Sequence, residues 1–165
     1  LPFSSEIEIL KRKNNYVMFK KNKWIKQKDI TLINTKEKNF VKILKSYLNC
    51  KYKWGGKTYQ GIDCSALVQI VYKFNNKFFA RDTVDQIKYK KGNIIKKKFK
   101  LGDIIFWKGH VAVCLNSKQL IHAYGPRKKV IIMPIKRTIN LIEKTAKLKV
   151  KKTCPAAAIH TGTGR

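Results

Sequence analysis

Acidic residues are scarce in this chain: 9 Asp and Glu stand against 38 Lys and Arg, a formal charge of +29 over 165 residues. That balance excludes an acidic, cation-buffering protein and raises nucleic-acid binding as a possibility, because such an excess attracts phosphate without regard to sequence. The lysines, however, run through every segment, interleaved with Asn, Ile, Phe and Tyr, and form no single stripe or arm. These residue types share AT-rich codons, so we read the excess as largely the composition of an AT-biased genome, and expect no specific nucleic-acid partner. No apolar run approaches the twenty or so residues of a membrane span. Histidine is also rare, with only 3. Neither C-x-x-C nor H-E-x-x-H occurs, so a zinc site built on Cys64, His110 and His122 lacks the usual spacing, and no metal or other cofactor is expected. The 4 cysteines have no regular spacing and define no disulfide framework. Cys114 reads as a structural residue; nothing brings Cys50 and Cys154 together, and the redox compartment and oligomeric state stay open.

What is present centres on Tyr52-Lys-Trp54-Gly55-Gly56 and Gly61-Ile-Asp63-Cys64-Ser65-Ala66-Leu67. Leu67, Ile70, Val71 and Phe74 form an i, i+3, i+4, i+7 apolar stripe, which predicts a helix with Asp63 as its N-cap. Cys64 then falls in the first turn, where free amides and the positive end of the helix dipole favour thiolate and lower the pKa from about 8.5. A thiol nucleophile needs a base. Gly102-Asp103-Ile-Ile-Phe106-Trp107 and His110-Val-Ala-Val-Cys114-Leu115 read as two strands about a Lys108-Gly109 turn, with Gln119 to Tyr124 as the next strand. If Leu115 pairs with Gln119 across a three-residue loop, Ala112 lies opposite His122, and His110 stands diagonally on the same face. A two-residue loop would put the imidazoles on opposite faces. Such a pair suits proton transfer from Cys64 to His110, attack on an amide carbonyl, and a thioester that water resolves, with helix-start amides as oxyanion donors. The plainer readings are a buried, inert Cys64 and a satisfied core histidine at His122. Trp54 and Trp107 read first as packing residues, Trp107 also as a candidate substrate contact.

The motifs Tyr52-x-Trp54-Gly55-Gly56, Gly61-x-Asp63-Cys64-Ser65, Gly102-Asp103-Ile-Ile-Phe106-Trp107, His110-Val-Ala-Val and Ile121-His122-Ala123 occur in the order and spacing of the NlpC/p60 family. The resemblance covers roughly residues 36 to 143. It implies a papain-like cysteine peptidase of bacterial cell-wall peptides, with Cys64 as nucleophile, His110 as base and His122 as the residue orienting that base. It also implies that Tyr52 and Asp63 help hold the free amine of a terminal L-Ala; Ser65 joins them as a candidate substrate contact. Arg81-Asp82-x-x-x-Gln86 resembles a further family segment, with Ala80 in place of the usual proline, and Ala66 replaces the usual glycine after Cys-Ser.

The fold expected is α+β, with N-terminal helices packed on an antiparallel sheet. Ser5 to Leu10, Tyr16 to Phe19 and Lys23 to Ile25 read as short strands separated by Lys-Asn turns, resembling part of a bacterial SH3-like barrel. Residues 1–35 are accordingly expected to be a partial SH3-like module and junction, 36–152 the catalytic domain, and 153–165 a disordered or foreign tail that lacks lysine. Helices are expected over Lys36 to Asn49 and Asp82 to Lys88, and strands over Asn93 to Lys100 and Val130 to Ile135; Lys136 to Lys144 fits either type. Because the chain starts at Leu1, we expect it to be a fragment with SH3-like modules upstream, and localisation is open between the cytoplasm, for recycling of released muropeptides, and the cell exterior. The function expected is a cysteine endopeptidase acting on peptidoglycan stem peptides between γ-D-Glu and a diamino acid, a bond choice that comes from the resemblance alone. An amidase or acyltransferase using the same Cys-His pair, and a non-catalytic wall-binding protein, are the alternatives.

Overall fold

The computed structural model describes residues 1–37, 39–88 and 98–155. The chain opens with a three-stranded antiparallel meander: β1 (Lys11–Lys13), β2 (Tyr16–Lys20) and β3 (Lys23–Lys26). Asn14 and Asn22 make its two turns at φ 51° and 59°, a left-handed conformation that asparagine tolerates better than branched residues. The first strand lies later than the Ser5 to Leu10 alternation suggests. Only the end of that stretch joins the ladder, through a Leu10 N to Met18 O hydrogen bond of 2.8 Å.

Helix α1 (Phe40–Ser46) follows, shorter than the apolar spacing over Lys36 to Asn49 predicts. Phe40, Ile43 and Leu44 are its buried face, and Asn49 at φ 66° turns the chain away soon after it ends. A two-residue hairpin, β4 (Lys57–Thr58) and β5 (Gly61–Ile62), leads into α2 (Cys64–Phe74), the helix expected from the apolar stripe. The short helix α3 is Thr83–Gln86. Of the basic stretch read as a strand over Asn93 to Lys100, residues 93–97 lie outside the described residues.

The second half builds a five-stranded antiparallel sheet from β6 (Ile104–Trp107), β7 (His110–Cys114), β8 (Gln119–Tyr124), β9 (Lys129–Pro134) and β10 (Lys152–Cys154), in the order β10-β6-β7-β8-β9. Between β9 and β10 runs α4 (Ile135–Ala146), so the segment that fits either type is helical. Its Ile135, Thr138 and Ile142 are buried at helical spacing, and Lys147 at φ 58° ends it.

One boundary needs correction. A tail beginning at 153 cuts through β10, because Thr153 and Cys154 pair with Ile105 and Ile104 of β6 and are buried. The shift in composition there is real, but two backbone pairings and a buried thiol outweigh it.

The sheet is covered on both faces. Ile104, Phe106, Val111, Val113, Ile121 and Ala123 face α1 and α2 across a core containing Phe40, Leu44, Leu67 and Val71. Ile105, Trp107, Ala112, Cys114, Leu120 and Met133 face α4 through Ile135 and Ile142. Strict alternation along β6 and β7 divides the two sets, as two-sided burial requires. Cys114 thus lies in the core on the His110 face of its strand.

Candidate active site

The loop before α2 is shaped by glycine. Gly55 sits at φ 72°, and a Cβ on Gly56 would run into the Gly61 carbonyl oxygen. This close approach lets the loop fold back so that Gly55 N donates to Asp63 Oδ2 at 2.9 Å. Asp63 is the N-cap of α2: its Oδ1 accepts from Ala66 N at 2.8 Å and from the Ser65 hydroxyl at 3.0 Å. Arg81 closes the arrangement with Nη1 to Oδ1 at 3.0 Å and Nη2 to Oδ2 at 2.6 Å, and Nη1 also donates to Ser65 Oγ at 2.8 Å. Asp63 is buried, with 5% of the residue exposed. Five donors engage it: Gly55 N, Ser65 Oγ, Ala66 N and both Arg81 nitrogens. A substrate amine would therefore meet oxygens that are already occupied, and the visible work of Asp63 is to hold the start of α2. Ser65, itself buried, belongs to the same clasp. Gln86 donates to the carbonyls of Ser65 and Ala80, both at 2.9 Å, tying α3 to α2.

Cys64 lies at the first position of α2, almost enclosed. Burial pushes its thiol up to about 11; the backbone N–H of Val111 is the largest opposing influence, the Asp63 charge adds to the rise, and the N–H groups of Ser65 and Cys64 oppose it. This departs from the sequence expectation of a lowered pKa. Helix-start amides do aim at the sulfur, but removing it from water costs more than they return. The Val111 contact places the thiol against the start of β7, the strand that begins with His110.

The histidines meet as the three-residue-loop register predicts. Leu115 N donates to Gln119 O at 2.8 Å, and Val113 and Cys114 pair with Ile121 and Leu120, which puts Ala112 opposite His122. His110 Nε2 and His122 Nδ1 are 2.9 Å apart. His122 is fully buried, its ring stacked on Tyr124 at a centroid distance of 4.6 Å and an interplanar angle of 12°. Burial lowers His110 to about 4 and, with a further contribution from His110, lowers His122 to about 3. At neutral pH the resting site therefore holds a thiol and two neutral imidazoles.

Tyr52 reaches the same region. Its ring lies 3.4 Å from where a Cβ on Gly125 would be. Its phenol is raised by burial and then by Cys64 and Asp63, so it keeps its proton. Trp107 does not reach solvent: it is 1% exposed, packed in the core facing α4, with its ring centroid 5.5 Å from that of His110. Its reading as a substrate contact is corrected to that of a wall behind the histidine, because strand alternation turns it inward. Arg81 is the residue whose role sequence reasoning missed. The available signal was a buried N-cap aspartate in need of a cation.

The NlpC/P60 family model matches residues 49–147, more than half of the chain. The chain belongs to the NlpC/P60 family. Among curated NlpC/P60 relatives, it is 35% identical over 85 residues to a dipeptidyl-peptidase 6 of Lysinibacillus sphaericus, covering 52% of this chain and 31% of that protein. It is 25% identical over 153 residues to a γ-D-glutamyl-L-lysine dipeptidyl-peptidase of Bacillus subtilis, covering 84% of this chain and 51% of that one. The chain thus spans about a third to a half of these relatives' lengths. An NlpC/P60 family protein from Bacillus cereus has the same fold, with a TM-score of 0.75 at 20% identity over 94% of this chain and 55% of its own. The fold class expected from the sequence, helices against an antiparallel sheet, is the one observed.

Proposed function

We propose that this NlpC/P60 chain is a cysteine peptidase that hydrolyses peptidoglycan stem peptides at the amide between γ-D-Glu and a diamino acid. The observation that carries the reading is the 2.9 Å His110–His122 pair at the head of the strand whose Val111 N–H meets the Cys64 sulfur. Two relatives named as dipeptidyl-peptidases, one of them for γ-D-glutamyl-L-lysine, support the choice of substrate.

In the proposed reaction, His110 takes the thiol proton as the Cys64 sulfur attacks the carbonyl carbon. The C–N bond then breaks, the departing amine takes that proton from His110, and the acyl group remains on sulfur as a thioester. Water, deprotonated by His110, attacks the thioester, which releases the carboxylate and restores the thiol. Amides at the start of α2 supply donors to the oxyanion. The resting neutrality of the pair fits this scheme: substrate entry excludes water and brings the charge-stabilising groups into play only as charge develops. His122 fixes the ring of His110. The cationic surface favours encounter with carboxylate-bearing peptides. Among the described residues no helix is long and apolar enough to cross a membrane.

The test is product analysis by liquid chromatography and mass spectrometry on L-Ala-γ-D-Glu-diaminopimelate, on the same peptide with a blocked amine, and on intact peptidoglycan. Release of free diamino acid supports the reading. Loss of only a terminal amide, or acyl transfer to an added amine without hydrolysis, would replace it with an amidase or acyltransferase.

A further inference from the structure

The second nitrogen of His122 points at sulfur. His122 Nε2 lies 3.4 Å from Met133 Sδ, inside a fully buried environment. The register explains the meeting: His122 of β8 pairs with Ile131 of β9, and Met133, two residues along, shares that face and packs among Trp107, Cys114, Leu120 and Tyr124. A thioether has no proton to give. Opposite an imidazole nitrogen it can act only as a weak acceptor, so this contact is a hydrogen bond only when His122 carries its proton on Nε2.

That choice propagates. With Nε2 protonated, neutral His122 presents the lone pair of Nδ1 to His110 Nε2 at 2.9 Å. His110 must then donate from Nε2, which leaves its own Nδ1 as the basic nitrogen. The alternative tautomer of His122 would present Nδ1–H, demand a lone pair from His110 Nε2, and put the His110 proton on Nδ1, where it blocks acceptance of a thiol proton. We propose that Met133 is a positioning residue that selects the Nε2–H tautomer of His122 and thereby of His110, setting the direction in which the histidine pair can move a proton. Tyr124, stacked on the His122 ring at 12°, holds the plane in which this bond is made. Nothing else in the sequence marks Met133, which alternation alone would class as a core filler.

The inference extends the peptidase reading, but its first test needs no substrate. Long-range proton–nitrogen correlation spectra of the ¹⁵N-labelled chain at pH 7.5 report which ring nitrogen of each histidine is protonated. The expected result is protonated Nε2 and lone-pair Nδ1 in both His110 and His122. A His122 protonated on Nδ1 in the unaltered chain overturns the proposal, and this arm depends on no variant folding. In Met133→Leu, which keeps the apolar volume and removes the acceptor, the His122 signals should shift towards a mixture of tautomers. Unchanged tautomers in that variant also overturn the proposal. With a cleavable peptide, kcat should fall roughly tenfold while KM stays put, the scale of one lost hydrogen bond. Met133→Gln, which presents an amide oxygen to Nε2–H, should restore part of the tautomer preference and of kcat. If no peptide is cleaved but the tautomers are as stated, the relay stands and the peptidase reading alone fails.

Discussion

Removing Arg81 should loosen the start of α2 more than the loss of any exposed cation on this surface could. The guanidinium meets both oxygens of Asp63, at 3.0 and 2.6 Å, with side-chain exposures of 22% for Arg81 and 8% for Asp63. Deleting one partner of a buried pair costs about 3–5 kcal/mol, whereas exposed pairs contribute about 0–1 kcal/mol. Arg81 is a fifth exposed, and three donors remain on Asp63 after its loss, so we place Arg81→Ala at about 2–3 kcal/mol of destabilisation. Arg81→Lys keeps the charge but cannot bridge both oxygens, and should lose about 1 kcal/mol. Urea unfolding of the unaltered chain, Arg81→Ala, Asp63→Asn and the double variant isolates the coupling. In the Asp63→Asn background, Arg81→Ala should cost under about 1 kcal/mol. A single-variant cost below about 0.5 kcal/mol, or equal costs in both backgrounds, would refute the clasp.

Acid should unfold the chain through its histidines. His110 and His122 sit at about 4 and about 3 when folded, against about 6.5 in an unfolded chain. The unfolded state therefore binds more protons below pH 6.5. Stability is fully present above that value and falls as pH drops towards 4, by up to about 2.7 kcal/mol per pH unit while both groups differ. Denaturant titrations at pH 7, 6 and 5 read this slope, and it should be roughly halved in His122→Phe. At the alkaline end Cys64, raised to about 11, holds its proton longer than an unfolded thiol, so stability should decline above pH 9; Cys64→Ala should flatten that limb. Gly56→Ala places a methyl group against the Gly61 carbonyl and should cost about 1–3 kcal/mol in thermal or urea unfolding, with a matching fall in turnover. If the charge of +29 aids encounter with anionic peptides, kcat/KM on them should fall several-fold between about 50 and 300 mM salt, while kcat alone stays level.

The features legible in the sequence were those that rest on local pattern. The stripe Leu67, Ile70, Val71, Phe74 and the cap Asp63 give α2, because periodicity and capping are local. The loop Asn116-Ser117-Lys118 sets the β7–β8 register, and with it the meeting of His110 and His122, because side-chain direction has a strict period of two. What stayed hidden depends on three-dimensional neighbours. The three-residue β10 has no periodicity to read and exists because β6 offers it an edge. Trp107 reads as packing or as a substrate contact, and only the covering of both sheet faces decides for packing. The shift of Cys64 was misjudged because the sequence shows the helix start but not the depth at which it is buried. Arg81 and Met133 act through contacts from α3's approach and from β9, and no spacing rule connects them to Asp63 or His122.

In the proposed reaction Cys64 forms a covalent bond with the substrate. Acid-quenching the chain within the first turnovers on L-Ala-γ-D-Glu-diaminopimelate, followed by peptide mapping, should find the dipeptidyl acyl group on Cys64 and nowhere else, and Cys64→Ala should release no diamino acid. Diamino acid release that persists in Cys64→Ala would rule out a Cys64 thioester.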